Sequence, residues 1–196
     1  MSSIREGEKT TAVGLRNLAR RFSTAVGSNY TAVQNINLDV GQGTFVSIVG
    51  PSGCGKSTVL NMAAGLMQPS EGTVDIFGER LSGINRRASY MFQQDALLPW
   101  KTVADNIALG LDFRGRNRRE TRELVMHWIE KVGIKGFGDS YPYQLSGGMR
   151  KRAAMAQCWI VDPDIVLMDE PFGALDVHTR LRMESELLHQ ATHDLL

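Results

Sequence analysis

Gly50-Pro51-Ser52-Gly53-Cys54-Gly55-Lys56-Ser57-Thr58 carries the spacing Gly-x-x-x-x-Gly-Lys-Ser/Thr. In that spacing backbone N–H groups wrap a nucleotide's phosphates, the lysine neutralises them, and the hydroxyl that follows reaches Mg²⁺. The flanks agree with this reading. Thr44-Phe45-Val46-Ser47-Ile48-Val49 is a short apolar, β-branched run that predicts a buried strand. Residues 56–66 place Val59, Leu60, Ala63 and Ala64 at helical spacing. The loop is therefore expected to join a strand to a helix whose N-terminus turns its N–H groups and positive dipole end toward an anion. With glycine at about 7% of residues on average, a chance match in such a chain is on the order of one in a hundred. A nucleoside triphosphate is the expected ligand.

The chain has 196 residues, 42% of them hydrophobic, enough for one domain with a sizeable core. Its 22 basic and 21 acidic residues leave a formal charge of +1, so no global field draws it to nucleic acid or acidic lipid. The opening, Met1-Ser2-Ser3-Ile4-Arg5-Glu6-Gly7-Glu8-Lys9, lacks the apolar core of a signal peptide. No apolar run approaches the ~20 residues of a membrane span. The expectation is a soluble, cytoplasmic protein with Cys54 and Cys158 as free thiols.

Along the chain, residues 11–49 read as β-structure, with Ile36, Leu38 and Val40 alternating against polar neighbours before the turn Gly41-Gln42-Gly43. An antiparallel N-terminal sheet follows. Pro69-Ser70-Glu71-Gly72 is turn chemistry, residues 73–77 a strand and Gly78 a further turn. From about residue 95 to 160 the pattern is helical: Val103, Ile107 and Leu111 at i, i+4 and i+8, then Leu124, Val125, Trp128, Ile129 and Val132 before Gly133. Beyond Asp162-Pro163, Ile165-Val166-Leu167-Met168 has the length of one buried parallel strand.

That strand delivers Asp169 and Glu170 at its carboxyl end, where ligands bind in open α/β sheets. In phosphate-loop enzymes such an aspartate helps hold Mg²⁺ and a neighbouring carboxylate can deprotonate the attacking water, so the pair predicts hydrolysis. Leu145-Ser146-Gly147-Gly148-Met149 precedes a helix-like run to Ile160. Ser146 can cap that helix, and the paired glycines let N–H groups approach a phosphate.

With these three motifs in this order, the chain resembles the nucleotide-binding subunit of an ABC transporter over nearly its whole length. The resemblance implies an α/β P-loop NTPase core, a mixed or parallel sheet flanked by helices, with an N-terminal antiparallel β-subdomain and an inserted helical subdomain at about 95–160. The whole, 1–196, is expected to be one nucleotide-binding domain. In that family two domains stack head to tail, so Ser146, Gly147 and Gly148 would touch the γ-phosphate of ATP held by the partner's phosphate loop. Gln93 in Met91-Phe92-Gln93-Gln94 matches the glutamine that contacts Mg²⁺ and water, with Gln94 an alternative. Phe22 matches the aromatic that stacks on adenine; a core phenylalanine, or Tyr30 in its place, are open alternatives. Asp176, in Gly173-Ala174-Leu175-Asp176, matches the aspartate that links the two active sites. Implied ligands are ATP and Mg²⁺, the latter on Ser57, Gln93 and Asp169. Implied partners are a second nucleotide-binding domain, a membrane permease and, indirectly, a solute-binding protein, with no nucleic acid. The implied location is the inner face of the cell membrane.

Leu97-Leu98-Pro99-Trp100, Tyr141-Pro142-Tyr143-Gln144 and Met149 resemble the bacterial nitrate, sulfonate and taurine importers. Residues 96–100 lie where the family docks a coupling helix of the permease; the alternative is that Leu97, Leu98 and Trp100 are core. The arginines 114, 116, 118, 119 and 122, interleaved with Glu120 and Glu123, read as a solvated helix face. Met155 and Met168 read as core filler.

The family's switch histidine follows a further strand beyond Asp176. Thr192-His193-Asp194 has its letters, but residues 184–191 have helix composition, so His193 stands either as the switch or as a helix residue. The fold would ordinarily continue past Leu196, and a truncated product, a deletion that brings His193 into place and a short form are all open. Two alternative functions follow: a fragment that binds nucleotide without hydrolysing it, and a soluble ATPase of the same family acting on nucleic acid or ribosomes.

Overall fold

The computed structural model describes residues 10–23 and 29–171. These residues fall into two compact units, one up to Asn85 and one from Arg86 onward.

The first unit is built on two 13-residue antiparallel strands, β1 (Thr11–Ser23) and β2 (Asn29–Gly41). They are followed by helix α1 (Lys56–Ala63) and strands β3 (Glu71–Ile76) and β4 (Glu79–Arg80). The sheet order is β2-β1-β3-β4, every pairing antiparallel, as the alternating pattern predicts. Register shifts interrupt β1 between Leu15 and Leu18, where Asn17 takes φ 48°. Such a bulge increases local twist and suits asparagine, which tolerates the left-handed region. Phe77 and Gly78, both at positive φ, close the β3–β4 hairpin with a two-residue turn. Leu15, Leu18 and Met62 are fully buried, and Val13, Val59, Val74 and Ile76 are buried as well. Each large apolar side chain so buried contributes about 1.5–3 kcal/mol.

One expected element is absent. Residues 44–49 form no strand, and Phe45, Val46, Ile48 and Val49 are exposed, Val49 to 89%. Thr44 instead closes the turn after β2, its N–H and hydroxyl both donating to the Gly41 carbonyl (3.2 and 2.6 Å). β-branched composition is a preference that only a ladder partner converts into structure. Among the described residues no strand pairs with this run.

The second unit holds a parallel pair, β5 (Ala88–Met91) and β6 (Ile165–Met168), in register Ala88↔Ile165 to Met91↔Met168. Between them lie helices α2 (Val103–Phe113), α3 (Arg118–Lys131) and α4 (Gly147–Trp159). Each helix starts on a side-chain cap. Thr102 accepts from the Asp105 N–H (3.1 Å), Asn117 from Arg119 (2.8 Å) and Ser146 from Met149 (3.3 Å). Val103, Ile107 and Leu111 are buried on α2, Val125 and Ile129 on α3, and Ala153, Met155 and Ala156 on α4. The alanines of α4 let its backbone come close to α2, against which it packs. Nothing in the sequence predicts β5: Ala88-Ser89-Tyr90-Met91 lacks a β-branched residue and is a strand because β6 supplies its ladder. Among the described residues no helix is long and apolar enough to cross a membrane.

Candidate functional site

In the phosphate loop, Gly53 and Gly55 take φ 81° and 96°, a region closed to most side chains. A Cβ at Gly55 would lie 2.3 Å from Val33 Cγ1 and 2.8 Å from the Ala32 carbonyl oxygen, so the loop backbone rests on β2. A Cβ at Gly50 would lie 2.6 Å from Cys54 Sγ. α1 begins directly after this loop. Its N-cap, Gly55, provides no side-chain acceptor and no acidic residue stands in the first turn, so these N–H groups face outward uncapped. Lys56 folds back, its ammonium donating to the carbonyls of Gly50 (2.9 Å) and Pro51 (3.1 Å). The result is a ring of exposed main chain with a cation at its mouth, which fits a polyphosphate. Thr58 is half-buried; Pro51, Ser52 and Ser57 are exposed.

In the second unit, Gln93, Asp169 and Glu170 come together. The Asp169 N–H donates to the Met91 carbonyl (2.9 Å), and Asp169 is only 7% exposed. The chain then turns through Glu170 at φ 49°, an uncommon conformation for glutamate. Glu170 is exposed, and its Oε2 accepts from Gln93 Nε2 at 2.7 Å. Two carboxylates and an amide at the carboxyl ends of parallel strands suit Mg²⁺, which takes one or two carboxylates and fills its remaining positions with water and phosphate oxygens. Burial, with the Asp169 charge adding to it, pushes the Tyr90 hydroxyl up to about 12.

Two buried polar side chains escape a reading of motifs. Lys151, 4% exposed, donates to the carbonyls of Phe92 (3.0 Å) and Gln93 (2.8 Å). Burial holds its pKa below the usual lysine value, against the opposing pull of the Asp95 and Asp169 carboxylates. Standing between Arg150 and Arg152, it reads as a surface cation. Its i+4 and i+7 spacing to Met155 and Cys158 was the available signal that it faces inward. Asn106 is fully buried. Its Oδ1 accepts from the Leu98 N–H (2.7 Å), and its Nδ2 donates to the carbonyls of Leu98, Lys101 and Thr102 (3.1, 3.1 and 2.9 Å).

In the run 97–100, Leu97 is core, as one of the two expected readings has it, whereas Trp100 is 71% exposed and is not core. Tyr141 and Tyr143 stack with ring centroids 5.7 Å apart, Tyr143 facing solvent. Ser146 and Gly147 are exposed and Gly148 half-buried at the start of α4, and the Ser146 hydroxyl is engaged as the cap. Phe22 lies on β1 opposite Tyr30, half-buried, with the Arg20 guanidinium 4.7 Å from its ring centroid. It is therefore not a simple core phenylalanine. Asp176 and His193 lie outside the described residues.

Residues 33–173, which include the phosphate loop, Gln93, Ser146 and the acidic pair, match the ABC transporter family. The chain belongs to the ABC transporter family. Among its relatives, an uncharacterized ABC transporter ATP-binding protein of Methanocaldococcus jannaschii is 47% identical over 162 residues, 83% of this chain and 61% of that protein. The taurine import ATP-binding protein TauB of Pelagibacter ubique is 42% identical over 173 residues, 88% of this chain and 65% of that protein. This ABC chain thus spans between three fifths and two thirds of the length of these curated relatives. The ATP-binding cassette MJ0796, solved as a dimer in a post-hydrolysis state bound to ADP and Pi, superimposes with a TM-score of 0.87. It is 32% identical, over 93% of this chain and 84% of that one. The fold is that of an ABC ATPase cassette: a phosphate-loop α/β core with an N-terminal antiparallel sheet and a helical region.

Proposed function

We propose that this chain is the ATP-binding and ATP-hydrolysing subunit that powers a membrane importer for a small anion such as nitrate, a sulfonate or taurine. The observation that carries the reading is the hydrogen bond of Gln93 to Glu170 beside buried Asp169, in a chain whose phosphate loop places a lysine at the start of a helix. In this reading Lys56 and the N–H groups of residues 53–58 hold the phosphates of ATP. Ser57, Gln93 and Asp169 would hold Mg²⁺, which supplies positive charge to the β- and γ-phosphates. Glu170 accepts the proton of the attacking water, and Gln93 orients that water. Phe22 offers its ring to adenine, and Asp176 and His193 complete the set by resemblance.

Ser146, Gly147 and Gly148 face the nucleotide of a second copy, a reading supported by their exposure at a helix N-terminus. The exposed Trp100 and Tyr143 suit docking to a permease on the inner face of the membrane. The relatives named for taurine import favour a sulfonate among the candidate solutes.

Substituting Glu170→Gln keeps the size and one hydrogen-bonding oxygen and removes the base. Steady-state hydrolysis of Mg²⁺-ATP is expected to fall about 100-fold to about 10,000-fold. Affinity for a fluorescent ATP analogue is expected to stay within about twofold, because groups that act only in the transition state leave ground-state binding alone. Unchanged turnover in this variant would refute the role of Glu170.

A further inference from the structure

Residues 92–95 carry Gln93, yet they belong to no helix or strand. Secondary-structure hydrogen bonds therefore do not hold this segment. It is held by two successive residues near the start of α4, Arg150 and Lys151. Arg150 Nε meets Asp95 Oδ2 at 3.1 Å, while Arg150 Nη1 donates to the Leu145 carbonyl at 2.8 Å. Lys151 sends its ammonium to the other end of the segment, to the carbonyls of Phe92 and Gln93. A buried lysine is rare unless paired. Here the carbonyl oxygens lie within hydrogen-bonding distance, and the carboxylates of Asp95, Asp169 and Glu170 are near enough to act on its charge. Deleting the ammonium leaves two carbonyls that have lost their donor, and one of them belongs to the residue whose side chain reaches Glu170.

We propose that Lys151 is a positioning residue for hydrolysis: by gripping the carbonyls of Phe92 and Gln93 from the second turn of α4, it fixes the backbone from which the Gln93 amide engages Glu170. Its role runs through the Gln93 backbone. The same grip ties the helix capped by Ser146 to the segment whose glutamine meets Glu170. The proposal rests on the hydrolytic reading above for its kinetic consequence, whereas the structural grip stands independently of it.

The test compares Lys151→Met, which keeps length and apolar stem and removes the donor, with Lys151→Gln, which restores N–H donors without charge. Three quantities are measured on the full chain: kcat and KM for Mg²⁺-ATP, affinity for a fluorescent ATP analogue, and amide hydrogen exchange of residues 92–95 without nucleotide. In K151M, kcat is expected to fall about 10-fold to about 100-fold, the usual loss when a supporting hydrogen bond behind a reacting group is removed. Analogue affinity should hold within about twofold, and exchange across 92–95 should rise. K151Q should recover most of both properties.

Parent-like kcat in K151M overturns the proposal, as does unchanged exchange at 92–95. A matched loss of analogue affinity and turnover, not recovered in K151Q, assigns Lys151 a general structural role and also overturns it. If the parent itself hydrolyses nothing, the hydrolytic reading falls, and the exchange comparison alone decides whether Lys151 holds the segment. If K151M does not fold, K151Q decides: parent-like exchange and turnover support the proposal, while raised exchange with intact turnover refutes it.

Discussion

The phosphate loop and the Gln93–Glu170 corner both present charged and polar groups, and they are made in opposite ways. The loop uses contiguous main chain: uncapped N–H groups of α1, two glycines at positive φ, and one lysine anchored to carbonyls five and six residues before it. Most of it faces solvent, and its shape depends on little beyond its own torsions and its seat on β2. The corner uses side chains from three separated stretches, with a buried carboxylate, a glutamate in a left-handed turn and a buried ammonium behind them. A local device tolerates change elsewhere in the protein. A device assembled from distant residues inherits the stability of whatever holds those residues.

The contrast is open to direct attack. The largest effect is expected at the loop, from Lys56→Ala. Losing a cation placed against developing charge should lower hydrolysis about 100-fold to about 1,000-fold and weaken binding of a fluorescent ATP analogue. The melting temperature should move little, since the two carbonyls it releases are open to water. A large fall in melting temperature would make the loop part of the structural core and erase the distinction.

Gln93→Ala should act more moderately, lowering kcat about 10-fold to about 100-fold with nucleotide affinity unchanged. A loss of affinity equal to the loss of turnover would move Gln93 from the chemistry to ground-state binding. Ser146→Ala should cost about 1 kcal/mol of stability in urea denaturation, because its hydroxyl caps α4. If turnover at low protein concentration falls far more than that loss of stability explains, Ser146 acts beyond the cap.

The least perturbing check is thiol labelling at pH 8. Cys54 is exposed in the loop, whereas burial pushes the Cys158 thiol up to about 12, where it donates to the Tyr90 carbonyl. The reactive species is the thiolate, which for Cys158 is scarce until the pH approaches that value, so protection weakens as pH rises. One thiol per chain should react in the native protein and a second only after unfolding. Rapid native labelling of both would mean that the backing of β5 is open.

The nucleotide loop, the helices at 103–113 and 118–131, the Ser146 cap and strand β6 are legible from the chain alone, because each is specified by neighbours in sequence: glycine torsions, caps and apolar periodicity. Residues 44–49 are misread for the complementary reason. Their β-branched run states a preference, and strand formation depends on a ladder partner that composition cannot name. Strand β5, which has no β-branched residue, exists because β6 pairs with it. Lys151 looks like one of three consecutive cations, and its burial follows from the face of α4 that packs inward. Likewise, Asn106 reads as a polar residue within a helix and is in fact the group that holds residues 98–102 in place. Short-range torsional and capping preferences are written residue by residue, and they suffice for the phosphate loop. Which polar groups are desolvated, and against which carbonyls, depends on elements brought together from far apart in the chain, and on that depend the setting of Glu170 and the grip of Lys151.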